Sequence, residues 1–292
     1  MKSDKDYIKE SHSSHPRVFQ TFTYCYPVLS RRAGGISIGI NLNLDKNCNF
    51  DCPYCQVNRT VKIPKQNIDL NIIRAELESL LSSFDANGIC TLAQFASIPN
   101  EGKKLTDLAI SGDGEPTMFP EFSQTCAFLS DIQKQFSYLD FSLNLITNST
   151  LLDRENVLDG IGHLLAQKGE VWAKLDAGTE GWYQKINISK ISLDKIQSNL
   201  IRLGEKYPFK IQTLFCAIDG LCPSEKEVSA YLDRLKKILS SGSNILEVQL
   251  HTLARKPSQS FCTPVIPDFL EKICSRIKNE VGIFSKVYGI EK

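Results

Sequence analysis

The chain has 292 residues, of which 42% are hydrophobic and 23% charged, so it can bury a large core and is unlike a disordered or fibrous protein. Its formal net charge of +1 excludes a protein-wide field that would draw it to nucleic acid or to an anionic membrane. The polar N-terminal residues lack the apolar stretch of a secretory signal, and no apolar run reaches the roughly 18 residues of a membrane helix. We therefore predict a cytoplasmic protein with no membrane partner.

The first predicted elements are a tail, a strand and a helix. Residues 1–25 are predicted to form a polar N-terminal tail, followed by one core domain over residues 26–292. Residues 36–44 alternate apolar and polar side chains and carry β-branched residues, which predicts the first strand of the core. Residues 67–86 repeat leucine and isoleucine at spacings of three and four, which predicts a helix with one buried face.

The rest of the chain alternates predicted strands with predicted helices. Ser224 and Glu227 form a capping-box sequence ahead of the clearest helix, and a closing helix and a short final strand are expected from residue 267 onward. Five further strands are predicted at residues 108–111, 141–147, 171–175, 209–215 and 245–251, and a further helix at residues 120–134. Six strands alternating with helices predict an α/β fold, a partial (β/α)6 TIM-like barrel with a parallel sheet.

Three cysteines lie close together just beyond the first predicted strand. Cys48, Cys52 and Cys55 are separated by gaps of three and two residues, so one loop can wrap them around a metal centre. Thiolates are the usual ligands of iron–sulfur iron, and three cysteines on a cube of four irons leave one iron open to another ligand. A structural zinc site normally closes four ligands, and no second cysteine or histidine pair follows nearby. The spacing therefore favours a [4Fe–4S] cluster.

A glycine-rich turn follows the second predicted strand, in the sequence SGDGEPT. Gly112 and Gly114 let backbone groups approach a ligand closely, and Glu115 supplies a carboxylate for a cationic group. A plain turn between a strand and a helix is the alternative interpretation.

Polar residues also follow later strands, at the end where active sites of parallel barrels lie. Asn148 follows the third predicted strand, and Lys174 and Asp176 belong to the fourth. They are candidates to bind a cofactor, with helix capping as the alternative. His251 and the two cations that follow it, Arg255 and Lys256, are candidates to contact an anionic substrate or cofactor, or form a solvated loop.

The cysteine motif, with Tyr54 immediately before its last cysteine, resembles that of the radical S-adenosylmethionine (SAM) superfamily. The stretches SRRAGG, CNFDCPYCQVNR, SGDGEPT, LITNST and LDAGTEGWYQKIN further resemble the wyosine-type iron–sulfur oxidoreductase group. The resemblance implies a partial barrel of the radical SAM type with a [4Fe–4S] cluster and SAM as cofactors. It also implies that SAM chelates the open iron and that the reduced cluster cleaves SAM to a 5′-deoxyadenosyl radical, which abstracts hydrogen from a substrate.

The resemblance also assigns residues to the cofactors. Metal ligands would be Cys48, Cys52 and Cys55. In the family, the segment at the position of Gly112, Gly114 and Glu115 contacts SAM's amino group, although Asp113 interrupts the glycine pair here. The full set of cofactor-binding candidates is Tyr54, Gly112, Gly114, Glu115, Asn148, Lys174 and Asp176. No residue is assigned to the reaction on the substrate.

The substrate and partners are less defined by the sequence. The best-understood relatives build a tricyclic base on a tRNA guanosine and carry three extra cysteines upstream, whereas only Cys25 lies upstream here. A tRNA base or nucleoside is therefore one substrate class, although basic residues are scattered apart from a candidate patch of Arg31, Arg32 and Arg59. Two alternatives stay open, namely an activase acting on a partner protein and a non-enzymatic iron–sulfur electron carrier. A reductant such as flavodoxin or ferredoxin is the expected partner.

Overall fold

A computed structural model describes residue 17 and residues 19–30, 32–60 and 63–288. The chain divides into two compact units. The first comprises Met1–Asn47, Lys62–Leu145 and Asp159–Glu170, and the second comprises Cys48–Val61, Ile146–Leu158 and Val171–Lys292. Across the residues that the structure describes, no helix is both long enough and apolar enough to cross a membrane.

The fold is a mixed α/β fold built on a largely parallel sheet. Its strands are β1 (Cys25–Ser30), β2 (Gly35–Ile40), β3 (Leu105–Ile110), β4 (Ser142–Thr147), β5 (Gly169–Lys174), β6 (Phe209–Leu214), β7 (Cys216–Ile218), β8 (Ile245–His251), β9 (Cys262–Pro264) and β10 (Ser285–Tyr288). The α-helices are α1 (Leu70–Leu81), α2 (Phe122–Gln135), α3 (Glu155–Leu165), α4 (Glu180–Ile186), α5 (Leu193–Lys206), α6 (Glu225–Ser240) and α7 (Pro267–Arg276). The strand order is β1-β2-β3-β4-β5-β6-β8-β10, and β7 pairs separately with β9.

In the first unit, β1 is antiparallel to β2, whereas β2, β3 and β4 are parallel. The start of β1 is fixed by Glu76 on α1, a buried residue whose carboxylate accepts hydrogen bonds from the backbone N–H groups of Thr23, Tyr24 and Cys25 at 2.5, 2.9 and 2.9 Å. Each of these bonds satisfies a backbone donor that the strand ladder does not reach. The described end of the predicted tail is therefore anchored on α1.

In the second unit, β5, β6, β8 and β10 are parallel, and their two faces differ. Thr213 on β6 bonds Tyr231 on α6, with 2.6 Å between the two hydroxyl oxygens, so odd-numbered residues of β6 face the helices. Side chains alternate along a strand, and Gln212 therefore points to the opposite face. Register places Lys174 of β5 and Gln249 of β8 beside Gln212, so these residues share that face.

All six predicted strands are confirmed. β8 has the bounds predicted for it, residues 245–251. The predicted helix over residues 67–86 is shorter, because α1 ends at Leu81 and the chain then turns into a bridge between Phe84 and Cys90. At α6 the capping box forms only in part. Ser224 accepts a bond from the Glu227 N–H at 3.2 Å, but the Glu227 carboxylate accepts bonds from the backbone of Gly178 and Thr179.

Candidate functional site

The three cysteines of the motif lie in the second unit, and each sulfur is close to a nitrogen donor. Cys52 is buried, and the other two are half-buried. Every sulfur accepts a hydrogen bond from a different side chain: Cys48 from Asn148 at 3.7 Å, Cys52 from Asn187 at 3.5 Å and Cys55 from Arg59 at 3.3 Å. Hydrogen bonds to cysteine sulfur stabilise its anionic, metal-bound form and tune the potential of iron–sulfur clusters.

All three cysteines interact electrostatically with the Arg59 guanidinium. Burial alone would lower the pKa of Arg59, but Cys55, Cys48 and Cys52 raise it above its ordinary value. The three sulfurs are thus within electrostatic reach of one guanidinium. Burial also raises the pKa of Cys52 to about 12, so its thiol is protonated at neutral pH and becomes a thiolate only when a cation replaces the proton.

Three thiols on one loop are the donor set expected for an iron–sulfur cluster. Among the described residues, no three histidine, cysteine, aspartate or glutamate side chains are gathered closely enough to hold a single metal ion. A cube of four irons bonds each cysteine through a different iron, so its ligands stand farther apart than those of one ion. The hydrogen bonds to each sulfur and the nearby Arg59 fit such an anionic cluster.

A buried polar network lies beside the cysteine loop. The Tyr54 hydroxyl donates to the Asp176 carboxylate at 2.5 Å, and Lys174 lies 2.9 Å from the same hydroxyl and 3.2 Å from the carboxylate. Asn187 donates to Asp176 at 2.9 Å as well as to Cys52. Burial, together with the charge of Asp176, raises the pKa of Tyr54 well above its usual value, which keeps the phenol a donor. The network fixes the loop around its last cysteine.

Backbone hydrogen bonds also hold the cysteine loop within the second unit. Asp51 N–H donates to the Asn187 carbonyl at 2.9 Å, and Ser258 N–H donates to the Cys55 carbonyl at 2.8 Å. Arg255, which the sequence suggested as a contact for an anionic substrate or cofactor, donates to the Gln56 side chain at 3.3 Å. The loop therefore holds its shape through contacts that do not involve the thiols themselves.

If the three cysteines hold a [4Fe–4S] cluster, Arg59→Gln is expected to leave it in place and to lower its reduction potential. Reduction adds negative charge, which a neighbouring guanidinium stabilises, and each ~1.4 kcal/mol of lost stabilisation is worth about 59 mV for one electron. We expect a decrease of tens of millivolts in a redox titration followed by electron paramagnetic resonance. Arg59→Lys, which keeps the charge, should lie between the two, and an unchanged potential in Arg59→Gln would contradict this role.

The glycine-rich turn lies in the first unit and is closely packed. A Cβ atom at Gly114 would lie 1.9 Å from the Asn47 carbonyl oxygen, and one at Gly112 would lie 2.1 Å from the Asn41 side-chain oxygen. The backbone N–H of Glu115 donates to the Asn47 carbonyl at 3.0 Å. The glycines are therefore needed for the close approach of the turn to Asn41 and Asn47, whereas their predicted approach to a ligand stays a prediction.

The buried carboxylate of Glu115 caps the short helix Pro116–Met118. Its oxygen accepts bonds from the Thr117 N–H at 3.2 Å and hydroxyl at 2.6 Å. Asp113, the residue that interrupts the glycine pair, accepts hydrogen bonds from Arg17 at 2.5 Å and Asn41 at 2.9 Å. Asp113 thus has a structural role at the point where the motif departs from the family pattern.

Gly114→Ala is expected to destabilise the first unit. The new methyl group cannot fit beside the Asn47 carbonyl, and overpacking of this kind costs about 1–3 kcal/mol. Gly181→Ala is a suitable control, because a Cβ at this position on α4 meets no atom within 4 Å and alanine favours helices. Urea unfolding should show a lower midpoint for Gly114→Ala and an equal or higher one for Gly181→Ala. Equal midpoints for Gly114→Ala and wild type would refute the packing argument.

The structure gathers most of the predicted candidates of the second unit. Asn148 contacts Cys48, and Tyr54, Lys174 and Asp176 form one network. Asn187 is the last residue of the stretch LDAGTEGWYQKIN, which carries the family resemblance, but it was not predicted as a site residue because nothing in the sequence indicates which residue of that stretch approaches the cysteines. Among the predicted basic patch, Arg31 lies outside the described residues, and Arg59 lies beside the cysteines. Cys216 lies just beyond β6, which ends at Leu214, and is the first residue of β7.

No protein-family model matches the sequence. A UPF0026 protein of Methanocaldococcus jannaschii is 29% identical over 272 residues, which cover 91% of this chain and 75% of that protein. A UPF0026 protein of Helicobacter pylori is 25% identical over 259 residues, which cover 85% of this chain and 73% of that protein. Both similarities extend over most of the chain.

Solved structures with a similar fold are radical SAM enzymes. A radical SAM methyltransferase from Sphaerobacter thermophilus matches with a TM-score of 0.60 and 16% identity, over 90% of this chain and 68% of that chain. TYW1 with a lysine–pyruvate adduct bound matches with a TM-score of 0.52 and 17% identity, over 85% of this chain and 74% of that chain. The predicted fold class, and the resemblance of the chain in structure to radical SAM enzymes, are confirmed.

Proposed function

We propose that this chain is a radical SAM enzyme whose [4Fe–4S] cluster is held by Cys48, Cys52 and Cys55. The observation that carries the proposal is that every one of these sulfurs accepts a hydrogen bond from a different side chain, on a chain with the radical SAM fold. A loop that served only to pack the core would have no need of polar donors at three thiols.

When bound, the reduced cluster supplies the electron that cleaves SAM to methionine and a 5′-deoxyadenosyl radical, which abstracts hydrogen from a substrate. The residues of the chain bind and orient. Lys174 offers a cation for a carboxylate, and Asp176 offers an acceptor for hydroxyl or amino groups. Tyr54 holds both of them at 2.5 to 2.9 Å, which preorganises the pair before a ligand arrives. Asn148 orients the first cysteine.

The assignment of Gly112, Gly114 and Glu115 to SAM's amino group rests on the sequence motif. Close packing of both glycines supports a turn whose backbone is fixed, and the buried Glu115 carboxylate supports a preformed acceptor for a cationic group. These features suit a binding role as well as the observed cap of the helix Pro116–Met118.

A tRNA base or nucleoside is the proposed substrate class, on the strength of the wyosine-type motifs and of the structural likeness to TYW1. A one-electron donor is needed to reduce the cluster before SAM is cleaved, and flavodoxin or ferredoxin is the proposed reductant. Thiolate ligands and a reduced cluster require a reducing environment, in keeping with the predicted cytoplasmic location.

The direct test is anaerobic reconstitution with iron and sulfide, reduction with dithionite, and chromatography of 5′-deoxyadenosine after SAM is added. Wild-type protein with a full cluster is expected to form 5′-deoxyadenosine and methionine in equal amounts. A fully loaded, reduced protein that neither binds nor cleaves SAM would refute the proposal and favour an electron carrier.

A further inference from the structure

Two buried glutamine side chains lie side by side on the face of the second unit that carries Lys174. Gln212 on β6 and Gln249 on β8 are cross-strand partners and are 8% and 1% exposed. Gln212 Nε2 and Gln249 Oε1 have no hydrogen-bond partner among the described residues. Leaving a buried donor or acceptor unpaired costs about 1–3 kcal/mol each, so a fold that keeps two adjacent ones has a reason to do so.

The same face carries the residues proposed to bind the cofactor. Lys174 is in register with Gln212, and its ammonium contacts Tyr54 of the cysteine loop at 2.9 Å. Val248 and Leu250 on β8 are fully buried on the other face, which covers the helix-packed core. The two glutamines therefore line the side of the sheet on which the cysteine loop lies.

We propose that Gln212 and Gln249 bind the lactam edge of a neutral, planar substrate, a ring in which an N–H lies beside a C=O. The ring carbonyl accepts from Gln212 Nε2, and the ring N–H donates to Gln249 Oε1. Neighbouring strands lie roughly 4.8 Å apart, so both side chains can converge on one small ring. If both side-chain amide groups are rotated by half a turn, the donor and the acceptor change places. A lactam bound the other way round then makes the same two hydrogen bonds. This substrate class rests on the proposed function.

The surroundings favour a neutral ring over an ion or a hydrocarbon. Lys174 pairs with Asp176 at 3.2 Å and is proposed to bind the cofactor, and Lys210 pairs with Glu247 at 3.5 Å, so neither cation is left for an anionic substrate beside the Gln249 oxygen. An apolar ligand would leave both amides unsatisfied.

Two aromatic rings at the C-terminal end of β8 favour a flat ligand. His251 stacks on Tyr288, with ring centroids 5.3 Å apart and an interplanar angle of 20°. The Tyr288 hydroxyl donates to Glu247 at 2.6 Å, so the aromatic ring lies along the row of Glu247, Gln249 and His251. Planar rings at this place provide a flat wall for a planar substrate.

The test is binding of matched probes to the reconstituted protein with SAM, measured by saturation-transfer NMR and equilibrium dialysis. Uridine and inosine carry the lactam edge, whereas 3-methyluridine and 1-methylinosine replace its N–H by N–CH3, and hydantoin supplies the edge without a sugar. The expected result is binding of uridine or inosine at least about tenfold tighter than of its methylated counterpart, the discrimination typical of one or two lost hydrogen bonds. If hydantoin binds and the nucleosides do not, the substrate is a small cyclic amide and not a nucleoside.

The variants Gln212→Met and Gln249→Met remove the hydrogen bonds at nearly constant volume, and Gln135→Met, at the exposed last residue of α2, is the control. Both buried variants should lose the preference for the N–H probe. Gln212→Met should unfold at the same urea concentration or higher, because an unpaired buried donor is removed, whereas Gln249→Met also loses the bond from Gln249 Nε2 to Glu247 at 3.4 Å, so the stability measurement rests on Gln212→Met. A purely structural role would lower the midpoint instead. Equal binding of the methylated probes, or no binding of any probe, would overturn the inference, whereas 5′-deoxyadenosine formation in the same samples tests the proposed function independently.

Discussion

Cys52→Ser is expected to lose both the cluster and SAM cleavage. A serine hydroxyl is a hard oxygen donor that does not replace a thiolate at iron, and Cys52 is the most buried of the three cysteines. After anaerobic reconstitution, iron and sulfide per chain should fall to the level of unreconstituted protein. Formation of 5′-deoxyadenosine should become undetectable.

Cys222→Ser is the matched control, because Cys222 is an exposed cysteine of the same unit. It should bind iron and cleave SAM like the wild type. The same loss in both variants would point to general damage from thiol replacement, and wild-type iron content in Cys52→Ser would remove this residue from the ligand set. The far-ultraviolet circular dichroism of both variants should match that of the wild type.

Local patterns predicted the elements whose signals lie within one segment. β8 has its predicted bounds, and α6 begins directly after Ser224 because that hydroxyl caps the backbone three residues on. The bounds of α1 could not be predicted in the same way, since its leucine periodicity says nothing about the bridge between Phe84 and Cys90 that ends it. Such bridges join residues through space, and periodicity does not encode them.

Residues whose role depends on distant contacts escaped sequence reasoning. Asn187 ends the stretch LDAGTEGWYQKIN and follows a short helix, and nothing in that stretch indicates that it donates to Cys52, which is 135 positions away in the chain. Glu227 carries a capping signal, but its carboxylate bonds to the backbone at Gly178 and Thr179. The cysteines could be predicted from their spacing, and the polar strand ends from the rule that parallel strands bring their C-terminal ends to one edge; both signals depend only on order in the chain.

Asp176→Leu is expected to destabilise the protein by about 3–5 kcal/mol, the cost of leaving one member of a buried ion pair without its partner. The Asp176 side chain is fully buried and that of Lys174 is 18% exposed. The carboxylate also accepts from Tyr54, Asn187 and the backbone of Leu214 at 2.5, 2.9 and 2.9 Å. Urea unfolding of cluster-free protein measures this cost without interference from iron.

The double variant Asp176→Leu with Lys174→Met should recover the part of that loss that comes from the unpaired Lys174 charge, whereas the donors of Tyr54, Asn187 and Leu214 still lack their acceptor. Asp233→Ala is the control. It removes an ion pair of similar length, 3.3 Å between Asp233 and Lys236, but both side chains of this pair are exposed, so the loss of stability should be less than about 1 kcal/mol. Additive losses in the double variant would mean that Lys174 and Asp176 do not act as a pair. Recovery of stability without recovery of SAM binding would separate the two roles of the pair, because the charges would then be dispensable for folding and needed only to hold the ligand.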